Sequence, residues 1–415
     1  MAEETASRER SRDIGALPAL VLLFVTTFLL RMTGNMVQTT IPLFAQDYLG
    51  MDAAEVGLAS ALFIGAGIAS PLLIVSRVRV DSLTASLLAF SSLFALAVPL
   101  FYFSDSILSF IALILATSVA SSTVMLLMLT SAQTMRPGSA HRTIGIYTVA
   151  LSSSLVFGPA LEGIVAGAYS GLRPVFLAFF PFVLASVLLI AVRHVFHARS
   201  GADGQPGRRA AALPTMKDAR RLLSSRGFLL PTLGQMSYSI VFASILSFGG
   251  ILAEQSIGAG YGMVFYLFGA FFATSWATRI VLTLAPDVRR KTLLLSISIV
   301  VSVAGMSMIR FSNSAPLMFL SFAILGIPHG LQYPVSTMMI AQATPRERLP
   351  VANALFTSAG AIPFAAAPIA IGYLSGTFGL PVSFMLMALP VVGIWLAFLF
   401  VQFTFRTEDE AAPSY

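Results

Sequence analysis

Twelve times along this chain an apolar run recurs that is long enough to cross a lipid bilayer: residues 17–45, 53–75, 82–102, 107–134, 140–168, 173–196, 227–253, 260–284, 288–310, 315–343, 348–376 and 380–405. A bilayer core requires about 20 apolar residues per helix. In lipid every backbone N–H and C=O must also be satisfied within the protein, so each run is predicted to be a transmembrane helix. With 57% hydrophobic and only 10% charged residues, the chain lies far from a soluble domain, where about 25% are charged. The net charge of +7 does not signal nucleic acid, because the basic residues are scattered over short loops instead of forming one patch. The partner these runs demand is the lipid bilayer. There is no cysteine, which removes disulfides and thiolate metal sites.

The longest polar stretch, Arg193 to Gly227, divides the runs six and six. It holds eight Arg or Lys against two acids, and its Gly/Pro-rich centre from Gly201 to Gly207 reads as a flexible connector. The piece from Met216 to Leu223 reads either as a short amphipathic helix on an anionic leaflet or as a solvated basic linker. The expected organisation is a disordered, charged N-terminal tail at 1–16, a six-helix bundle at 17–196, a basic linker at 197–226, a second six-helix bundle at 227–405, and a polar tail at 406–415. Leu17 to Leu30 has the look of a signal-peptide core, but the apolar pattern runs on to Phe44 and makes a span of it. Of the 25 Lys and Arg residues, 21 fall in the tails and loops of one membrane side. The positive-inside rule then places both termini and the linker in the cytoplasm, with the plasma membrane as the expected location.

Charged and polar side chains inside spans are costly, at least about 2.5 to 3.5 kcal/mol for a charge at mid-depth, so each asks for a partner or a task. Arg31, Asn35 and Gln38 recur at i, i+4 and i+7 in the first run, with Thr27 one turn earlier, and form one helical stripe. Such a stripe lines a watery cavity or forms structural contacts to neighbouring helices. Glu162 is the only carboxylate deep in a span, either a proton carrier or a partner that neutralises Arg31. His329 falls near the middle of the tenth run with Gln332 and Tyr333 beside it, and Gln235 and Tyr238 form a weaker pair in the seventh. Arg279, near the end of its run, reads as a snorkelling residue or a cap for loop carbonyls. Met125 and Met128 read as packing residues. No phosphate-binding loop, no metal-ligand spacing and no nucleophile paired with a base is evident, so no cofactor, no metal and no enzymatic activity are expected.

An internal repeat relates the halves. AQTMRPGSAHRTIGIYTVALSSSLVFGPALEG in the first is echoed by AQATPRERLPVANALFTSAGAIPFAAAPIAIG in the second, with Gly158-Pro159 and Gly163 answered by Ala367-Pro368 and Gly372. Small residues four apart permit close helix approach, and Pro159, Pro363 and Pro368 each remove a backbone hydrogen bond.

On these residues, and on GIPHGLQYPVSTMMIAQATPRERLPVANALF from Gly326 to Phe356, the whole chain resembles the major facilitator superfamily. SLVFGPALEG, from Ser154 to Gly163, is similar to a fifth-span signature of proton-coupled exporters, with Ser154 and Glu162 standing where the pattern has glycines. The family's loop signature after the second span survives only as SRVRVDS. The resemblance implies an all-α membrane protein of twelve helices in two pseudo-symmetric bundles, with a substrate site between them lined by the first, fourth, seventh and tenth spans. It implies a secondary transporter working by alternating access. The expected substrate is a small, partly apolar organic molecule exported in exchange for protons, with Glu162 as coupling residue, Arg31 as its electrostatic partner, and a monomer as the working unit. The alternatives are transport of an organic anion recognised by Arg31, a sensor or scaffold that has lost transport, and a membrane-embedded enzyme.

Overall fold

The computed structural model describes residues 2–74, 83–134, 140–200, 222–223, 225–284, 290–345 and 348–404, and every regular element among them is helical. Twelve helices are long and apolar enough to cross a membrane: spans 1 to 6 are Pro18–Leu49, Ala53–Ser70, Leu83–Phe103, Ile107–Ala132, Gly145–Tyr169 and Arg173–Val192. Spans 7 to 12 are Arg226–Ile257, Tyr261–Leu284, Lys291–Arg310, Ala315–Ala343, Val351–Phe378 and Leu380–Thr404. The Gly/Pro-rich part of the expected linker and the C-terminal tail at 406–415 lie outside the described residues.

Two local features differ from the sequence expectation. The first helix begins at Ala2, not after a disordered tail, which agrees with a segment rich in Ala, Glu and Arg, all strong helix formers. The last span is interrupted at Met387, between Leu380–Leu386 and Ala388–Thr404. Pro390 accounts for the break, since it offers no N–H to the Leu386 carbonyl and its ring crowds that carbonyl.

Contacts group the chain into two compact units. One comprises Met1–Val37, Ala66–Leu161 and Leu172–Gly207; the other comprises Gln38–Gly65, Glu162–Gly171 and Arg208–Tyr415. In the first unit, span 3 packs against spans 4 and 6 around fully buried phenylalanines, with the Phe101 ring stacked 4.9 Å from Phe176 and edge-on 6.1 Å from Phe110.

In the second unit, span 7 is the central helix and packs against spans 10, 11 and 12. Its small residues, among them Gly234, Ser237, Ala243, Ser244 and Gly249, are buried and let the neighbouring backbones approach. Spans 8 and 10 pack closely. Gly326 lies against the Phe271 carbonyl and the Thr274 hydroxyl, and Gly330 against the Ser275 carbonyl and Thr278. A step of four residues on one helix matches a step of four on the other, so the two run parallel and in register. Thr274 ties them by donating from Oγ1 to the Ala323 carbonyl at 2.7 Å.

A Cβ at Gly326 would enter the space of a backbone carbonyl, which no rotamer change relieves. Gly326→Val is therefore expected to cost at least the roughly 1–3 kcal/mol typical of overpacking. Thermal unfolding of the purified variant should show a clear fall in midpoint; an unchanged midpoint would mean the spans separate there without cost.

Candidate functional site

The register of spans 8 and 10 brings Ser275 to His329. The Ser275 hydroxyl and His329 Nδ1 share a hydrogen bond of 2.5 Å, and the imidazole is 3% exposed. Aromatic rings surround it, with centroids at 4.5 Å (Phe242), 5.0 Å (Phe271), 5.3 Å (Tyr238) and 5.6 Å (Phe272). Phe242 extends the cluster by stacking on Tyr238 at 5.5 Å and on Phe364 of span 11 at 5.7 Å. The seventh- and tenth-span candidates Tyr238 and His329 thus meet, and both belong to the second unit.

One helical turn further along the same spans the layer becomes polar. Gln332 is fully buried, and neither of its side-chain amide atoms has a hydrogen-bond partner among the described residues. Gln235 lies beside Gly360 of span 11 and donates to Ser239 at 3.5 Å, while its Oε1 is buried without a partner among the described residues. Tyr333 is about half exposed, at 49%. Arg279, four residues beyond Ser275, is half-buried, with a buried Nε that donates to no partner among the described residues. The phenylalanines and Ser275 were not singled out in the sequence, where FGAFFATS reads as ordinary apolar span.

Glu162 is also in the second unit and is fully buried. Thr39 of span 1 donates from Oγ1 to Glu162 Oε2 at 2.7 Å, while Oε1 has no partner among the described residues. The stripe predicted in span 1 divides between the units. Arg31 is half-buried and Asn35 is 2% exposed, its amide donating to Ser154 of span 5 at 3.5 Å, both within the first unit. Gln38 is half-buried in the second, where it lines a small crevice with Ser60, Phe63 and Leu246.

The sequence matches the family model of the Major Facilitator Superfamily over residues 23–285 and 248–414, which together take in nearly the whole chain. The chain belongs to the major facilitator superfamily. Its fold agrees. A bacterial homolog of the human lysosomal transporter Spinster, in an inward-facing and unoccupied conformation, superposes with a TM-score of 0.71 at 14% identity, covering 95% of this chain and 98% of that one. The same homolog in an inward-facing and occupied conformation gives 0.70 at 14% identity over 95% and 98%. The nucleoside transporter NupG gives 0.71 at 14% identity over 93% and 99%. No curated protein sequence matches this chain.

In this major facilitator transporter, the fifth-span glycine pattern makes a close helix contact. A Cβ on Gly163 would meet the Tyr266 ring at 2.8 Å and the Gly262 carbonyl at 3.1 Å, and one on Gly262 would meet the Gly163 carbonyl at 3.1 Å. Gly158 and Pro159, one turn earlier, are buried in the first unit. The second-half echo behaves alike: the Pro368 carbonyl lies against Gly57 of span 2, Gly372 lies against the Ala53 carbonyl, and Pro363 is half-buried one turn earlier. Glu162, where the pattern has glycine, places a carboxyl beside a contact otherwise made of small residues.

Proposed function

We propose that the protein is a proton-coupled exporter that moves a small, partly apolar organic molecule across the plasma membrane by alternating access. The observation that carries this reading is the fully buried Glu162 held by Thr39. A carboxyl bonded to a hydroxyl can gain or lose a proton and keep its partner, since Thr39 Oγ1 can turn from donor to acceptor. That suits a group that loads and releases a proton as its surroundings change. Arg31 serves as its electrostatic partner in another state of the cycle. The substrate rests on the His329 cluster, with Gln235, Tyr238, Gln332 and Tyr333 as its polar contacts. Both termini lie in the cytoplasm, which the distribution of 21 of 25 basic residues supports.

The test is flux in proteoliposomes containing the purified protein, with an aromatic carboxylate, an aromatic amine and an uncharged aromatic solute offered in turn. At least one is expected to accumulate against its gradient when a pH gradient is imposed, and a protonophore should abolish that accumulation. Flux indifferent to the protonophore would overturn proton coupling. No flux of any of the three would favour the sensor or scaffold reading.

A further inference from the structure

We infer that the layer formed by Arg279, His329 and the surrounding aromatic rings is a subsite for an organic anion with an aromatic body. The inference rests on the transporter reading above and names the substrate class of that site.

Register is the first ground. Gly326 and Gly330 fix span 10 against span 8, so one turn beyond the Ser275–His329 pair Arg279 arrives level with Tyr333. Span 7 runs the opposite way, which brings Gln235, one turn before Tyr238, to the same level.

Charge is the second ground. Glu254 is the only acidic residue among the described residues from 226 to 404. It sits 16 residues beyond Tyr238, about 24 Å along span 7 at 1.5 Å per residue. Among the described residues no ion pair joins a carboxylate to the half-buried guanidinium of Arg279, and its Nε donates to no hydrogen-bond partner. A cation inside a span calls for an anion, and a guanidinium offers a carboxylate two parallel N–H donors.

The third ground is the polar and aromatic lining. Gln332 and Gln235 hold buried amide atoms without partners at the same level. The rings of Phe242 and Phe364, both half-buried, stack at 5.7 Å and present the flat surface that an aromatic body needs.

Thermal unfolding of the purified full-length protein tests this with 1-naphthoate, its uncharged amide 1-naphthamide, and acetate as an anion without a ring. Naphthoate is expected to raise the midpoint, with naphthamide and acetate at least about tenfold weaker, the effect of losing a charge-assisted hydrogen bond or the ring contact. Arg279→Gln should remove the naphthoate effect, and Arg279→Lys should keep part of it. Equal stabilisation by naphthoate and naphthamide would overturn the proposal, as would no stabilisation by naphthoate or its survival in Arg279→Gln. The selectivity of the unaltered protein decides the matter even if the Arg279 variants do not fold. Glu162→Gln should leave the naphthoate shift in place, so a failure of proton coupling and a failure of anion recognition give different results.

Discussion

Replacing Glu162 by Gln is expected to abolish solute accumulation driven by a pH gradient while leaving substrate binding and exchange of solute for solute intact. Gln keeps the size of Glu and keeps an oxygen that can accept from Thr39 Oγ1, now 2.7 Å from the carboxylate. It cannot take up or release a proton. A cycle that returns the empty carrier only after a proton has moved stops at that step. Exchange of solute across the membrane needs no such return and should continue. The cost to folding should be small, about 1 kcal/mol for amide hydrogens placed where Oε1 already has no partner. Flux in proteoliposomes with and without a pH gradient, beside equilibrium exchange of labelled solute, separates the two activities. Undiminished gradient-driven accumulation would remove Glu162 from the mechanism and turn attention to His329, a second titratable group buried deep in a span.

The twelve spans were legible because a helix in lipid must satisfy its own backbone, so length and hydropathy alone define it. Glu162 was legible for a related reason, as an acid standing alone in an apolar run. Its partner was not. Span 1 offers Thr26, Thr27, Thr33, Thr39 and Thr40, all buried, and only the way the helices meet selects Thr39. The ring cluster at His329 was hidden more deeply, since a phenylalanine in a membrane span reads the same whether it faces lipid, core or ligand. What brings Phe271, Phe272 and Ser275 to His329 is the pair Gly326 and Gly330, visible in the sequence only as small residues four apart. Arg279 was read as a snorkelling end residue, and its place one turn from Ser275 becomes meaningful only once spans 8 and 10 are in register. The break at Met387 was readable after all, three residues before Pro390, which leaves the Leu386 carbonyl without its i+4 donor.

The second large effect concerns the ends of spans 1, 2, 5, 8 and 11 that meet within the second unit. Tyr261 donates to Asp47 at 2.8 Å, Gly163 packs on Gly262, and Gly57 and Gly372 pack against the Pro368 and Ala53 carbonyls. On the proposed orientation, with both termini in the cytoplasm, these contacts lie at the outer end of the spans, where the proposed alternating-access cycle would close and reopen. Closure here depends on glycine, because backbone lies against backbone. A side chain at Gly57 would collide with the Pro368 carbonyl, whereas one at Gly65, two turns along the same span, would meet nothing within 4 Å. Gly57→Val is thus expected to disfavour the closed outer end by the roughly 1–3 kcal/mol of overpacking, a shift of about 5- to 150-fold in population. Gly65→Val should shift nothing. Because the chain has no cysteine, a single Gln38→Cys substitution reports the opening through its reaction with a membrane-impermeant thiol reagent added outside. The Gly57→Val background should react faster by that factor, and Gly372→Val should do the same from the opposite helix. Equal rates in the Gly57→Val and Gly65→Val backgrounds, with both proteins folded, would show that these glycines pack the unit without gating it.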